Sequence, residues 1–304
     1  MMKTKLTNHR KGMKLTTRNT LIGLSFILPN FIGFFLFIMI PVVFSFFLSV
    51  NKWDGFNEME FVGIDNFVKI FSTTVFRQSL LHTAVYTVFS VTLTTGVSLG
   101  LALLLNIGLK ATNFFRSAIF FPHVAAIVAI GVVWNMLFQK DYGPINEFLR
   151  MLGMANPPGW LASTQYAMTG VIIVSVWKNM GYYMLIYLAG LQGIPSSLYE
   201  AATVDGANSW QRFKSITLPM LAPSTFFVII MLTINSFKVF DLIYVLTEGG
   251  PGTATTVLAK YIYDQSFISW NYGNASAASV VLFLIVGTIT IIQFRSEKKW
   301  VNYM

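Results

Sequence analysis

Two short runs of polar residues interrupt otherwise apolar stretches of this chain. The first holds Ser175, Trp177, Lys178, Asn179 and Tyr182; the second holds Thr233, Asn235, Ser236, Lys238 and Asp241. On a helix, Ser175, Lys178, Asn179 and Tyr182 fall at i, i+3, i+4 and i+7 and share one face. Hydroxyl, amide and ammonium groups beside an aromatic ring match the hydroxyls and the flat face of a sugar, and polar groups deep in an apolar segment are costly enough to suggest a function. Both runs are therefore candidate solute-binding residues. Two lysines in such a place suit an acidic oligosaccharide, for example one carrying uronate groups. Plainer readings stand beside this one. Lys238 and Asp241 are three apart and can neutralise each other, while Lys178 can snorkel to an interface or pair with Asp241.

Other chemistry finds less support. Gly96-Val97-Ser98-Leu99-Gly100 matches the G-x-S-x-G nucleophile pattern, but that motif needs a strand-to-helix turn with a histidine and an acid nearby. Here it lies in an uncharged apolar run, where the Gly96/Gly100 spacing predicts a helix-packing face. His82 and His123 lack partners at metal-ligand spacing and read as hydrogen-bonded or interfacial groups. There is no His-Glu-x-x-His, and the absence of cysteine removes disulfides and thiolate metal sites. A membrane enzyme or receptor has no site to rest on.

The elements that carry the polar runs must cross a membrane. Of 304 residues, 55% are apolar and 11% charged, against about 25% charged in soluble domains, and the mean hydropathy is +0.63. No formal charge lies between Arg18 and Lys52, Arg77 and Lys110, Arg116 and Lys140, Lys214 and Lys238, or Asp264 and Arg295. A helix crosses a bilayer with roughly 20 apolar residues. The chain is expected to be an all-α polytopic membrane protein with six transmembrane helices, at about 21–50, 80–107, 118–138, 167–194, 221–246 and 278–294. Strands are not expected, since the alternation of a membrane barrel is missing. The first run is too long for a signal peptide and no small-x-small cleavage site follows it, so it reads as a retained anchor.

Six spans put both termini on one side. Segment 1–19 with Lys110, Arg116, Arg212, Lys214, Arg295, Lys298 and Lys299 gives that side thirteen Lys/Arg, against six on the other. The positive-inside rule then places both termini in the cytoplasm, and the net charge of +9 is mostly this bias rather than a nucleic-acid footprint. The expected organisation is a cytoplasmic segment 1–20, a first transmembrane helix 21–50, a five-helix core 80–294 and a cytoplasmic tail 295–304.

The loop between spans four and five, 195–219, is the structured one on the cytoplasmic side. Ser197 and Glu200 have capping-box spacing, predicting a helix from about Leu198. Gly206 is placed to end it in a left-handed turn. A second helix can begin after Ser209 and must yield at Pro219. Leu198, Ala201, Ala202 and Phe213 give this unit a small, apolar surface.

Glu200-Ala201-Ala202, Asp205-Gly206-Ala207 and Ile216-x-Leu218-Pro219 resemble the EAA loop of ABC-importer permeases. Leu188-Ala189-Gly190-Leu191-Gln192-Gly193-Ile194-Pro195 before it, with Phe240-Asp241 and Thr247-Glu248-Gly249-Gly250-Pro251-Gly252 after it, are similar to the carbohydrate-uptake branch, of the maltose and sn-glycerol-3-phosphate type. The resemblance implies a type I permease fold forming half of a translocation pathway. It also implies that Glu200, Ala201, Ala202, Asp205, Gly206 and Phe213 couple to a cytoplasmic ATPase. Counted from the loop, Ser175, Asn179, Tyr182, Asn235 and Ser236 correspond to the sugar-contacting region of the maltose importer; Lys178, Lys238 and Asp241 join them from the polar runs. The implied partners are a second permease subunit, two copies of the ATPase, an extracytoplasmic solute-binding protein, the lipid bilayer and a sugar. No G-x-x-x-x-G-K-[ST] occurs here, so ATP and Mg²⁺ belong to the ATPase and this chain needs no cofactor and is no enzyme. The competing reading, a secondary transporter driven by an ion gradient, calls for paired repeats and midplane carboxylates, for which Asp241 is the one candidate.

Overall fold

The computed structural model describes residues 15–107 and 111–300. Most of the expected cytoplasmic segment (1–14), the residue Lys110 and the end of the expected tail (301–304) lie outside the described residues. Helix α1 (Leu15–Phe34) passes through a π-helical turn, Phe35–Met39, into α2 (Ile40–Ser49). A short cap follows: β1 (Asn51–Lys52) pairs antiparallel with β2 (Glu60–Phe61), Asn51 facing Phe61 and Lys52 facing Glu60, and then comes α3 (Asp65–Ser72). The bundle continues with α4 (Thr74–Asn106), α5 (Thr112–Val124), α6 (Ile127–Leu137), α7 (Pro144–Met151) and α8 (Ala167–Gln192). Beyond α8 are α9 (Ser196–Val204), α10 (Ser209–Arg212), a π turn Phe213–Thr217, α11 (Leu218–Met220) and α12 (Ala222–Phe237). Last come α13 (Asp241–Leu246), α14 (Leu258–Tyr263), a π turn Asp264–Ile268 and α15 (Tyr272–Trp300).

Among the described residues four helices are long and apolar enough to cross a membrane: Ile22–Ser49, Thr74–Asn106, Ala167–Gln192 and Tyr272–Glu297. Two bent pairs bring the number to six if each is one span: α5 with α6, at 99°, and Ser209–Met220 with Ala222–Phe237, at 61°. Apart from the strand pair of the cap, the described elements are all helical. Two expected spans need correction. The third, expected as one helix over 118–138, breaks at Ala125 and Ala126, both extended (ψ 144° and 130°). Pro122 lies just before, where its missing N–H already removes a ladder bond. The fifth, expected over 221–246, stops at Phe237; the backbone leaves helical geometry at Phe240 (φ −136°, ψ −57°) and restarts at Asp241.

Helices α4 and α8 run in the same direction at the centre, as Tyr86 meeting Ser175 and Ser98 meeting Met180 require. The α4 face that packs is a row of small and polar residues, Ser79, Thr83, Thr87, Ser90, Thr94, Ser98 and Ala102, all buried. Small side chains let helix backbones approach in a bilayer, where apolar area alone gives no drive to associate. The Ser98 hydroxyl donates across the contact to Met180 O at 2.9 Å. Gly96 and Gly100 are not on this face: a Cβ at either would meet nothing within 4 Å. They flank Ser98 two positions to either side, roughly 200° around the helix, so within this chain they pack against no other helix.

At the N-terminal end of α4, the cap is tied down by Asn66, 1% exposed, whose amide donates to Ser49 O at 3.0 Å and Asn51 O at 2.8 Å. In the cap loop Asp54 accepts from the backbone N–H groups of Asn57 and Phe56, which hold its carboxyl down at a pKa of about 2. Asn66→Ala leaves two buried carbonyls without a partner and should cost about 1–3 kcal/mol, read as a lower thermal midpoint of the detergent-solubilised protein.

Candidate functional site

A cavity of about 640 Å³ opens where α4, α5, α8 and the α12–α13 junction converge. All eight solute-binding candidates line it: Ser175, Lys178, Asn179 and Tyr182 from α8, Asn235 and Ser236 from the last turn of α12, Lys238 from the break, and Asp241 from the start of α13. Tyr86 Oη and Ser175 Oγ are 2.7 Å apart, and the Asn179 amide donates to Ser175 O at 2.9 Å. Trp177 and Thr233, from the same runs, face elsewhere. Trp177 packs edge-on to Trp134 at 5.4 Å, and Thr233 bonds Ile229 O and the Gln293 amide.

Tyr86, Ser90 and His123 also line it, none of them a solute-binding candidate from the sequence, and Tyr183, Met231, Leu232, Val239 and Leu242 make up the rest of the wall. His123 stacks on Tyr182 with ring centroids 4.6 Å apart and planes 13° from parallel. Like His82, it was expected as a hydrogen-bonded or interfacial group. The signal that chose the other residues, a polar group within an apolar run, applied to it as well. His82, by contrast, lies within hydrogen-bonding distance of Thr256 O at 3.2 Å, as expected.

The break between α12 and α13 explains the charges at this site. Lys238 occupies the C-cap of α12, where the last carbonyls favour a cation, and Asp241 opens α13, where free N–H groups favour an anion. Its carboxylate accepts from Leu242 N at 2.9 Å. The two are not on one helix, and no ion pair joins either lysine to an acid among the described residues, whose pairs are Lys52–Glu60, Arg150–Glu147 and Lys260–Asp264. Both pairings considered from the sequence, Lys238–Asp241 and Lys178–Asp241, are thereby excluded. Gly131 of α6 lies against Val245 of α13, where a Cβ would displace the Val245 Cγ1 methyl.

The loop after α8 is a second site. Helix α9 starts at Ser196 with Pro195 as N-cap and no side-chain cap, so the capping box expected of Ser197 and Glu200 does not form. Pro195 caps the helix two residues earlier than expected and leaves Ser197 inside it. The reciprocal box belongs to α10: Gln211 N donates to Asn208 Oδ1 at 2.9 Å and Asn208 N to Gln211 Oε1 at 2.8 Å. Gly206 ends α9 as expected, at φ +78°. Ala207 N reaches Ala202 O at 2.8 Å and Gly206 N reaches Thr203 O at 3.1 Å, the paired bonds of a Schellman turn. Tyr199 Oη and Thr217 Oγ1, 2.9 Å apart, and Arg212 to Thr203 at 3.1 Å tie the two helices together. The second helix does not yield at Pro219. A π turn ahead of it, closed by Leu218 N to Phe213 O, lets the helix run to Met220.

Glu200, Ala201, Asp205 and Gly206 are exposed, while Ala202 and Phe213 are half-buried. A groove of about 380 Å³ runs between the two helices, with Ala202, Asp205 and Gly206 on its rim. Val204, 88% exposed, and Trp210, 69% exposed, stand apolar beside it. The Trp210 and Phe213 rings lie 5.6 Å apart.

The described residues form a helical bundle around a polar cavity, with a helix-turn-helix unit on its surface. Residues 93–298 match the family described as the inner membrane component of binding-protein-dependent transport systems, and the chain belongs to that family. It is a membrane transport subunit, a permease of the ABC-importer kind. The chain is 39% identical over 297 residues to the probable ABC transporter permease protein YesP of Bacillus subtilis, covering 96% of each. It is 37% identical to the trehalose/maltose transport system permease protein MalF of Thermococcus litoralis, covering 93% of this chain and 95% of that one. Among solved structures, a chain of a bacterial ABC transporter involved in the import of the acidic polysaccharide alginate superposes with a TM-score of 0.82, at 23% identity, over 94% of this chain and 98% of that chain. This likeness establishes the type I permease fold.

Proposed function

We propose that this chain is one of two permease subunits of a sugar importer, taking a polyhydroxylated solute into the cavity between α4, α8 and the α12–α13 break. The observation that carries the reading is the convergence of the eight polar residues on one cavity of about 640 Å³, within the volume range of small-molecule sites. The names of the relatives point the same way: MalF is a trehalose/maltose permease and AmyD of Thermoanaerobacterium thermosulfurigenes a probable permease for starch degradation products. No ion-gradient mechanism is needed, because Asp241 is engaged by its own helix rather than poised as a midplane proton carrier.

Coupling falls to 196–220. Two copies of a cytoplasmic ATPase bind ATP and Mg²⁺, and one of them grips this unit. Its closure then moves α8 and α12, which flank the unit directly, and the cavity alternates between outside-open and inside-open. Three features support this. The Glu200 carboxylate makes no ion pair among the described residues, the α9 side of the groove is lined by Ala202, Gly206 and Ala207, and Val204 and Trp210 project into what the Lys/Arg bias makes the cytoplasm. Both termini lie on that side, and an extracytoplasmic binding protein delivers the solute to the other.

The test is ATPase activity of the complex reconstituted with its binding protein, scanned against neutral and uronate-containing oligosaccharides. Stimulation by either class establishes sugar import. Silence with every sugar moves the substrate elsewhere, and failure to hold an ATPase overturns the coupling assignment.

A further inference from the structure

Two lysines, Lys178 and Lys238, line the cavity. Lys178 is half-buried on the α8 face beside Asn179 and Tyr182, and Lys238 projects from the α12 C-cap. A charge at membrane depth is costly and is usually paired or functional. Among the described residues neither ammonium meets a carboxylate within ion-pair distance. The one acid that lines the cavity is Asp241, which accepts from Leu242 N and pairs with neither lysine. The rest of the wall supplies neutral groups: the hydroxyls of Ser175 and Ser236, the amides of Asn179 and Asn235, and the stacked rings of Tyr182 and His123. Ser90, 1% exposed, lies deep in this wall next to Tyr86.

We infer that this permease selects an anionic sugar, its negative group placed between Lys178 and Lys238 while the ring hydroxyls take the amides and serines. This rests on the proposed sugar-import function and narrows it. Helix capping accounts for Lys238, at the end of α12, but not for Lys178, which lies in mid-helix and lines the cavity. Charge is what distinguishes the ligand, and it comes either from a hexuronate carboxylate or from a phosphate ester.

The experiment compares matched ligands on the reconstituted wild-type complex with its binding protein: uronate di- to tetrasaccharides, the same sugars as methyl esters, neutral malto-oligosaccharides and glycerol 3-phosphate. Esterification removes the charge and nearly keeps the shape. The expected result is uptake of the free acid at least tenfold above its ester. Uptake confined to glycerol 3-phosphate assigns the lysines to a phosphate. Equal uptake of acid and ester, or of malto-oligosaccharides alone, overturns the inference and leaves sugar import standing; no uptake of any of them removes both. In a second arm, Lys178→Gln with Lys238→Gln should cut uptake of the anionic ligand at least tenfold, with Lys→Arg at both positions restoring it. Assembly of each variant is read independently by co-purification of the ATPase. Undiminished uptake by an assembled Gln variant would also refute the inference.

Discussion

Gly206→Pro should abolish coupled transport while leaving the protein in the membrane. Gly206 sits at φ +78°, a region the proline ring, fixed near −65°, cannot enter. Its N–H also donates to Thr203 O, and proline has none to give. The combined cost is about 3 kcal/mol or more, enough to unwind the end of α9 and disconnect it from α10. A Cβ there meets nothing within 4 Å, so the constraint lies wholly in the backbone. Gly206→Ala should therefore cost only about 1–2 kcal/mol and keep part of the activity. Substrate-stimulated ATPase activity and uptake are the readouts, with membrane insertion followed by the yield of the detergent-extracted subunit. Both should fall at least tenfold in the proline variant. Normal uptake in Gly206→Pro and in Glu200→Ala together would show that this unit does not transmit ATPase closure.

That turn was legible in the sequence because a glycine after a helical run states its own conformation. The cavity was legible for a similar reason: Ser175, Lys178, Asn179 and Tyr182 are conspicuous within an apolar run, and helical spacing alone puts them on one face. The bends were not. Hydropathy registers an apolar stretch whether or not its backbone is continuous, so the breaks at Ala125–Ala126 and at Lys238–Phe240 passed as uninterrupted spans. Pro122 hinted at the first. Nothing comparable marks the second, where tertiary packing of α13 on α6 decides. That omission changed the chemistry read from Lys238 and Asp241, since a three-residue spacing means pairing only on a continuous helix. Proline misled in the opposite direction at Pro195, which moved the N-cap of α9 and took Ser197 and Glu200 out of their expected box. The Gly96/Gly100 face does not meet α8, because a G-x-x-x-G spacing says nothing about which face of α4 packs inside the chain.

Gly181, rather than Gly96 or Gly100, is where a glycine holds the bundle together, and the three should respond very differently to alanine. A Cβ on Gly181 would overlap Ile119 O and lie 2.7 Å from Phe120 Cα, both backbone atoms of α5 that no rotamer change can move. Helix α5 would have to retreat from α8, and with it His123, which stacks on Tyr182 one residue beyond Gly181. Overpacking of this kind costs about 1–3 kcal/mol for a methyl group and more for a larger side chain. Gly181→Ala should lower the thermal midpoint of the solubilised subunit and Gly181→Leu should prevent a stable fold. Gly96→Ala and Gly100→Ala meet open space and should stay within about 0.5 kcal/mol of the parent, as substitutions away from packed features do. The same displacement carries a functional consequence. Retreat of α5 opens the wall formed by His123, so uptake should fall in Gly181→Ala by more than the loss of folded protein accounts for. A Gly181→Ala subunit as stable as the parent would show that α5 does not press on α8 as closely as the approach of Ile119 O to Gly181 requires.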